Sequence, residues 1–499
     1  MRPTKISTMV AVAVVAALTA SAPAGAQIPA HPRDLTYPTL TFDPPDAAKY
    51  RKVLKNKVVT FMVEDHELPL VSVAVMVRAG SYLEPVGKEG LAMAVGNQMR
   101  AGGSGALTAE QFDEEADFLA ATMSAGFGGT SGNVFANFLA KDVDKALDLL
   151  FAMLQKPAFQ QDRFDLYKRQ TLQGLARRND NTGGIETREW SRLTYGDQHF
   201  STRPVTQAGV EGMTRDDLVA FHARHVHPGN FIIAVSGDFN SAEMAGKLEQ
   251  RMAGWAPPAG YNVTPVPKPE FEPKPGVYMV NKPEVNQGRV SMGHLGILRD
   301  NPDAIAVDLM NDILGGSGFT SRITNRVRSD EGLAYSAGSG YGAGTYYPGV
   351  FRAGFQSKSA TVAQAVQIIL EEIDRIRTAK VTAEELDTVK NSAIEVFPRN
   401  FSSAGATAGL FASDELTGRD PRYWKTYRDR VRALTVDEIQ RVAQKYLTPD
   451  KLVILAVGHV DDMLKGSPDK PQYSFETIRK GQPIVRIPLP DPNTMVYPK

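Results

Sequence analysis

The chain has 499 residues, with 42% hydrophobic and 22% charged residues, a composition typical of globular proteins and a length that predicts several domains. Lys plus Arg equals Asp plus Glu at 56 each, which argues against a nucleic-acid-binding protein. No cysteine is present, so neither disulfides nor a lipidated cysteine is available and core burial must stabilise the fold.

The first predicted element is a secretory signal peptide, residues 1–26. Basic residues precede an apolar run, residues 9–20, and Ala24-Gly25-Ala26 then supplies a cleavage site after Ala26. The run is too short to span a bilayer, which disfavours the alternative interpretation as a membrane anchor. Removing Arg2 and Lys5 with this segment leaves 54 basic against 56 acidic residues, a net charge of −2. We expect a periplasmic or secreted protein without a membrane anchor.

Strands and helices are mixed along the rest of the chain. Apolar stretches such as residues 71–77 predict strands, and they alternate with helical patterns such as residues 143–153 and 362–376. This mixture predicts an α+β fold, in which a mainly antiparallel sheet packs against helices as a sandwich.

Two segments 221 residues apart resemble each other without a gap. The first runs from Met213 to Gly237 and the second from Leu434 to Gly458. In each, a Thr precedes acidic residues that favour a helix N-terminus, a Pro closes the helical stretch, and an apolar run ending in Gly predicts a buried strand. The repeat predicts two homologous lobes, an N-terminal one at residues 27–256 and a C-terminal one at residues 276–470.

Proline-rich segments separate and follow the two lobes. Residues 257–275 carry many prolines and some charges, which is incompatible with a regular helix and predicts a linker. Residues 471–499 form a second Pro-rich segment, which we expect to wrap over a surface or a partner.

A distinctive segment opens the N-terminal lobe. It reads Val77-Arg78-Ala79-Gly80-Ser81-Tyr82-Leu83-Glu84-Pro85 and, after two residues, Lys88-Glu89-Gly90-Leu91-Ala92. This segment resembles the opening of the insulinase/pitrilysin family of zinc metallopeptidases, the inverzincins. In that family the inverted motif His-x-x-Glu-His follows on a helix, where two imidazoles bind zinc and the Glu activates the zinc-bound water.

The positions that match the family's His, Glu and His are Met93, Gly96 and Asn97. A thioether is a poor zinc ligand, glycine has no side chain, and an amide cannot act as a general base near neutral pH. The family's third ligand, a Glu, matches Gly174 or its neighbour Gln173, so this ligand is missing too. We therefore expect neither zinc nor another cofactor in this chain.

The C-terminal lobe carries a second motif, made of the Gly-rich loop Leu314–Ile323, then Arg328, then Leu333-Ala334-Tyr335-Ser336. This motif is similar to one in the same family, where the matching Arg and Tyr hold substrate backbone and the tetrahedral intermediate at another lobe's zinc. The resemblance implies that Arg328 and Tyr335 are catalytic groups contributed to a partner's site, which suits a guanidinium fork and a phenol. The alternative makes Arg328 an ordinary helix-surface cation and Tyr335 a half-buried strand residue.

Three histidines, His222, His225 and His227, cluster at the end of a predicted helix and raise the alternative of a metal site. His222 and His225 share a helix face, but His227 lies at the turn before Pro228. Histidines near a helix C-terminus commonly complement the helix dipole, and we favour that interpretation over a metal site.

Taken as a whole, the chain resembles the zinc-free partner subunits of the family's bacterial heterodimers and of mitochondrial processing peptidase. This resemblance implies a periplasmic heterodimer with a zinc-bearing paralogue, in which this chain forms half of a peptide-degradation chamber and zinc lies in the partner. An alternative from a different class is a stand-alone binding or scaffold protein derived from the family. A third hypothesis, a zinc peptidase in its own right, predicts bound zinc and chelator-sensitive cleavage.

Overall fold

The computed structural model of the protein describes residue 35 and residues 41–498. The chain divides into a short unit, residues 1–43, and a large unit, residues 44–499, which holds the helices and strands named below. The expected signal peptide and its cleavage site lie outside the described residues. Within the described part, no helix combines the length and the apolar character needed to cross a membrane.

The N-terminal lobe is built on a six-stranded sheet. Its strands, β1 to β6, are Arg51–Val53, Val59–Glu64, Leu70–Val77, Thr122–Phe127, Gly132–Leu139 and Phe231–Gly237. Its helices, α1 to α9, are Ala47–Tyr50, Leu91–Ala101, Ala109–Phe118, Val143–Gln155, Gln161–Ala176, Thr182–Tyr195, Gln207–Gly212, Arg215–His225 and Ser241–Arg251. The strand order is β1-β2-β6-β3-β5-β4, in which the β2–β6 pair is parallel and the other pairs are antiparallel.

Strand β3 illustrates how this sheet forms its core. Its side chains alternate between the two faces, and Val71, Val73, Val75 and Val77 are completely buried on the face that packs against the helices. β-Branched side chains suit such a pleated, half-buried surface. Leu150 of α4 lies in the same core, so the alternation in sequence directly builds the contact between sheet and helices.

The C-terminal lobe repeats this architecture. Its strands, β7 to β14, are Gly276–Asn281, Gln287–Leu295, Ile297–Leu298, Ala334–Tyr341, Ala343–Gly344, Val350–Lys358, Val453–Gly458 and Val485–Ile487. Its helices, α10 to α18, are Ala304–Asn311, Arg322–Thr324, Val362–Thr378, Ala383–Val396, Ala404–Thr417, Tyr423–Ala433, Val436–Tyr446, Val460–Lys465 and Phe475–Ile478. The main sheet has the order β10-β12-β8-β13-β7-β14, with β13 and β14 parallel to β7. The predicted α+β fold with mainly antiparallel sheets is confirmed.

The two copies of the sequence repeat form the same local structure. Helices α8 and α16 each start at a capping box, formed by Thr214 with Asp217 and by Thr435 with Glu438. The strands that follow them, β6 and β13, each lie parallel to the first long strand of their lobe, β2 and β7. Corresponding residues of the two copies therefore cap a helix at the same point and form a buried strand with the same pairing.

Each lobe also sends one helix onto the sheet of the other lobe. Ile185 and Trp190 of α6 pack against β13, on the face of the C-terminal sheet opposite its own helices. Phe411 and Ala412 of α14 pack in the reciprocal way against β2 and β6 of the N-terminal sheet. Because each sheet completes its packing with a helix from the other lobe, the lobes are interlocked.

The segments outside the repeat run over the surface of these lobes. Between Arg251 and Gly276 the chain forms neither helix nor strand. Near the C-terminus, β14 adds a strand beside β7, and the hydroxyl of Tyr497 donates a 2.8 Å hydrogen bond to Glu189 of α6. The C-terminal segment thus covers part of its own chain.

Candidate functional site

The helix that carries the degenerate zinc positions, α2, has a sharply defined start. Gly90 precedes it in the left-handed region, with φ of 93°. The carboxylate of Glu84 accepts hydrogen bonds from the backbone N–H groups of Gly90, at 3.1 Å, and of Ala92, at 2.8 Å. Burial raises the pKa of Glu84, although these two donors favour its charged form. The segment that resembles the family opening therefore positions α2.

Two of the degenerate positions lie on the exposed face of α2. Met93 and Asn97 are four residues apart and both exposed, as two zinc-binding imidazoles would be in the family motif. The amide oxygen of Asn97 accepts a 2.9 Å hydrogen bond from the side chain of Gln98. This face thus presents a thioether and an amide, which are poor zinc ligands.

Gly96, the predicted match to the family's catalytic Glu, is buried where α2 touches strand β4. A Cβ atom on Gly96 would lie 2.7 Å from the Cα of Gly126 and 2.9 Å from the backbone N of Phe127. Both atoms belong to the backbone, so any side chain here requires α2 and β4 to move apart. The arrangement therefore leaves no room for a catalytic carboxylate.

Gly174, which with its neighbour Gln173 is the predicted match to the family's third zinc ligand, lies on α5, which packs beside α2. It is exposed, a Cβ atom there would touch nothing within 4 Å, and the neighbouring Gln173 is exposed as well. The degenerate positions thus lie on two adjacent helices. Across residue 35 and residues 41–498, no group of three or more His, Asp or Glu side chains is arranged to hold a metal ion.

The histidines at the end of α8 belong to the core. Nε2 of His222 lies 2.9 Å from the carbonyl oxygen of Leu154, and its ring packs against Phe159. Burial lowers the pKa of His222 and of His225 to about 4, and it lowers the pKa of His227 as well. Burial and ring contacts indicate that these residues pack in the core, and the lowered pKa values disfavour the helix-dipole interpretation.

Arg328 and Tyr335 meet at the edge of the C-terminal sheet. Arg328 lies in a π-helical segment, Asn325–Asp330, and Tyr335 lies near the start of β10 with its side chain 84% exposed. The Cζ atom of Arg328 is 4.5 Å from the ring centroid of Tyr335 and 4.5 Å from that of Phe319, in the Gly-rich loop. The two residues that the resemblance singled out thus lie together, with Arg328 half-buried and Tyr335 exposed, so Tyr335 is not a half-buried strand residue.

Strands β4 and β10 form outer edges of the two sheets. Within the described residues β4 pairs only with β5, and β10 pairs only with β12. The pairing of β10 is irregular between Ala334 and Ala337, where Tyr335 leaves the sheet. A free strand edge offers backbone N–H and C=O groups to an extended peptide, but in β10 the carbonyl oxygens of Ala337 and Ser339 already accept hydrogen bonds from Thr324 and Asn311. Helix α2 packs against β4 and the Arg328 segment packs against β10, so each edge borders one of the two sites.

Sequence reasoning missed a buried charged cluster between the lobes. Glu186 of α6 is 3% exposed, and its carboxylate lies 3.0 Å from Arg352 and 3.5 Å from Arg289. It also accepts a hydrogen bond from the hydroxyl of Ser291. No sequence motif could reveal this cluster, because its partners come from strands of the other lobe. Phe319 was part of a recognised motif but carried no assigned role.

Two family models match the chain. One, described as Insulinase (Peptidase family M16), matches residues 59–200 and includes α2 with its degenerate positions. The other, described as Peptidase M16 inactive domain, matches residues 212–393 and includes Arg328 and Tyr335. The matches thus cover both candidate sites.

Two relatives from Helicobacter pylori carry contrasting names. The zinc protease PqqE is 25% identical over 79% of this chain and 89% of its own length. The non-peptidase homolog YmxG is 23% identical over 69% of this chain and 78% of its own length. A solved structure from Pseudomonas fluorescens, described as a peptidase M16 inactive domain, is 24% identical with a TM-score of 0.74, over 82% of this chain and 97% of its own. This structure has the same fold.

Proposed function

Because this chain belongs to the insulinase family, peptidase family M16, and has Met93, Gly96 and Asn97 at the zinc-motif positions, we propose that it is a non-catalytic subunit of a heterodimeric zinc metallopeptidase. The contact of Gly96 with Gly126 carries this proposal. At this contact, backbone atoms of β4 occupy the space that a carboxylate side chain at position 96 would need. In this proposal the site therefore lacks both the zinc ligands and the room for the catalytic Glu. In this proposal the packing of α2 on β4 accounts for the loss of peptidase activity.

The partner in this proposal is a zinc-bearing paralogue. It supplies the His and Glu side chains and the metal, while this chain supplies Arg328, Tyr335 and half of the chamber wall. Helicobacter pylori has one relative named a zinc protease and another named a non-peptidase homolog, which supports a division of labour between two paralogues.

The substrate in this proposal is an unfolded peptide in extended conformation. Such a peptide can bind next to Tyr335 and present its carbonyl oxygens to the guanidinium of Arg328. The periplasm is the proposed location, because a secretory signal suits residues 1–26 and the chain has no cysteine for disulfides.

Co-expression of this chain with a zinc-bearing family member from the same genome tests the proposal. We expect the two chains to co-elute, to contain one zinc per pair, and to cleave a quenched fluorescent peptide of about ten residues, while this chain alone binds no zinc and cleaves nothing. Isolation of this chain without a paralogue, together with no gain in hydrolysis on mixing, would favour the scaffold alternative. Stoichiometric zinc in this chain alone would contradict the proposal.

A further inference from the structure

Phe319, Arg328 and Tyr335 form a cluster, called here the Arg328 cluster, in which aromatic rings contact the guanidinium. Its cation lies over two aromatic rings, 4.5 Å from each centroid. Among the described residues, however, no acceptor forms a hydrogen bond or ion pair with its N–H groups. The rings therefore hold the cation through its π contacts and leave its donors for a ligand.

The two rings are exposed, which is unusual for large aromatic side chains. Phe319 is 64% exposed and Tyr335 is 84% exposed. The hydroxyl of Tyr335 is itself a proposed donor to the substrate in the reaction. Phe319 has no polar atom, so its ring can affect catalysis only through packing, either against Arg328 or against the substrate.

The loop that carries Phe319 is held in place by short-range contacts. Phe319 lies in a 3-10 turn, Gly318–Thr320, in which the hydroxyl of Ser321 donates to the carbonyl of Gly318 at 2.7 Å. Upstream, a Cβ atom on Gly315 would lie 2.5 Å from the backbone N of Ser339, so the loop packs directly against β10. Phe319 is thus fixed relative to the strand that carries Tyr335.

We propose that Phe319 is a positioning residue for Arg328. Its ring orients the guanidinium so that the free N–H groups face a peptide bound next to Tyr335. A pre-positioned arginine loses less conformational freedom when it binds a carbonyl oxygen. This role rests on the proposed function, and it extends the catalytic contribution of the chain to a residue of the Gly-rich loop.

Kinetics of the co-expressed pair with the fluorescent peptide test this role. Phe319→Leu keeps an apolar side chain and removes the ring, and we expect a two- to fivefold lower kcat/KM, about 0.4 to 1 kcal/mol at about 1.4 kcal/mol per tenfold change. Phe319→Tyr restores the ring and should restore the rate. Phe118→Ala, which removes a phenylalanine of the N-terminal lobe that is also exposed, should leave kcat/KM unchanged.

A double-mutant cycle separates positioning from a general structural effect. If Phe319 acts through Arg328, Phe319→Leu has no further effect on kcat/KM when Arg328→Ala is already present. An equal loss in both backgrounds would overturn the inference.

A second measurement on the free chain distinguishes this inference from the proposed function. Arg328 should react with phenylglyoxal faster in Phe319→Leu than in the unaltered chain, as read by peptide mass spectrometry, and Phe319→Tyr should restore the slow rate. Equal rates in all three chains would refute the positioning role. Faster modification in Phe319→Leu, combined with unchanged turnover in Arg328→Ala, would instead refute the proposed function alone.

Discussion

Glu186 of helix α6 in the N-terminal lobe and Arg352 of strand β12 in the C-terminal lobe form an ion pair at 3.0 Å. The carboxylate is almost completely buried, and Arg289 and the hydroxyl of Ser291 complete its surroundings. A buried charge of this kind is satisfied only when both lobes are in place. The contact of α14 with the N-terminal sheet also requires both lobes to be folded, so the lobes should unfold together.

We expect Glu186→Ala to lower the free energy of unfolding by about 2 to 3 kcal/mol, because it leaves two guanidinium groups beside an apolar interface without their carboxylate. Urea unfolding followed by circular dichroism measures the change. Asp429→Ala is the control, because Asp429 is highly exposed and pairs only with the exposed Arg432 among the described residues, so its loss should change stability by less than about 0.5 kcal/mol. Equal stability of both variants would contradict the structural role of Glu186.

Two glycine substitutions test the packing of the degenerate zinc site. Gly96→Ala should lower the free energy of unfolding by about 1 to 3 kcal/mol, because its Cβ atom collides with the backbone of β4 at Gly126. Gly174→Ala should instead raise it by about 0.5 to 1 kcal/mol, because the site is open and alanine favours the helix. Thermal unfolding of both variants measures the contrast. An unchanged stability for Gly96→Ala would show that α2 can move away from β4.

Stability should fall as the pH is lowered through the window from about 6.5 to about 4. The native pKa of His222 and of His225 is lowered to about 4 by burial, so below pH 6.5 the unfolded chain takes up protons that the native chain does not. Each histidine then removes about 1.4 kcal/mol of stability per pH unit. Urea unfolding between pH 7.5 and pH 4.5 measures the slope. His222→Gln, which keeps a donor for the carbonyl of Leu154, should reduce the slope by one proton, and an unchanged slope would contradict this origin.

Loss of Arg328 or of the Tyr335 hydroxyl should reduce the activity of the reconstituted pair without separating it. Arg328→Ala and Tyr335→Phe are each expected to lower kcat/KM by about 10²-fold, because each removes a donor to a peptide carbonyl or its oxyanion. Hydrolysis of the fluorescent peptide measures the loss, and size-exclusion chromatography checks the pair. Arg422→Ala removes a highly exposed cation and should have no effect. Unchanged turnover in both site variants would remove these residues from the mechanism.

The repeat and the loss of the zinc motif could both be read from the sequence. Thr214 and Thr435 cap their helices through residues three positions away, so the signal is local and survives in each copy. The side chains at Met93, Gly96 and Asn97 are likewise facts of the sequence once the motif is aligned. The proximity of Arg328 and Tyr335 also follows from their short separation.

Only the tertiary structure decided how these parts meet. Three contacts join residues from separate elements. Helices α6 and α14 each pack on the sheet of the other lobe, Glu186 pairs with Arg352, and Gly96 lies against Gly126. Their formation depends on which apolar faces pack together across the whole chain, and no local periodicity or cap encodes that choice. Residue identity thus determined which side chains stand at Met93, Gly96 and Asn97, whereas long-range packing determined that the backbone of β4 leaves no space for a side chain at Gly96.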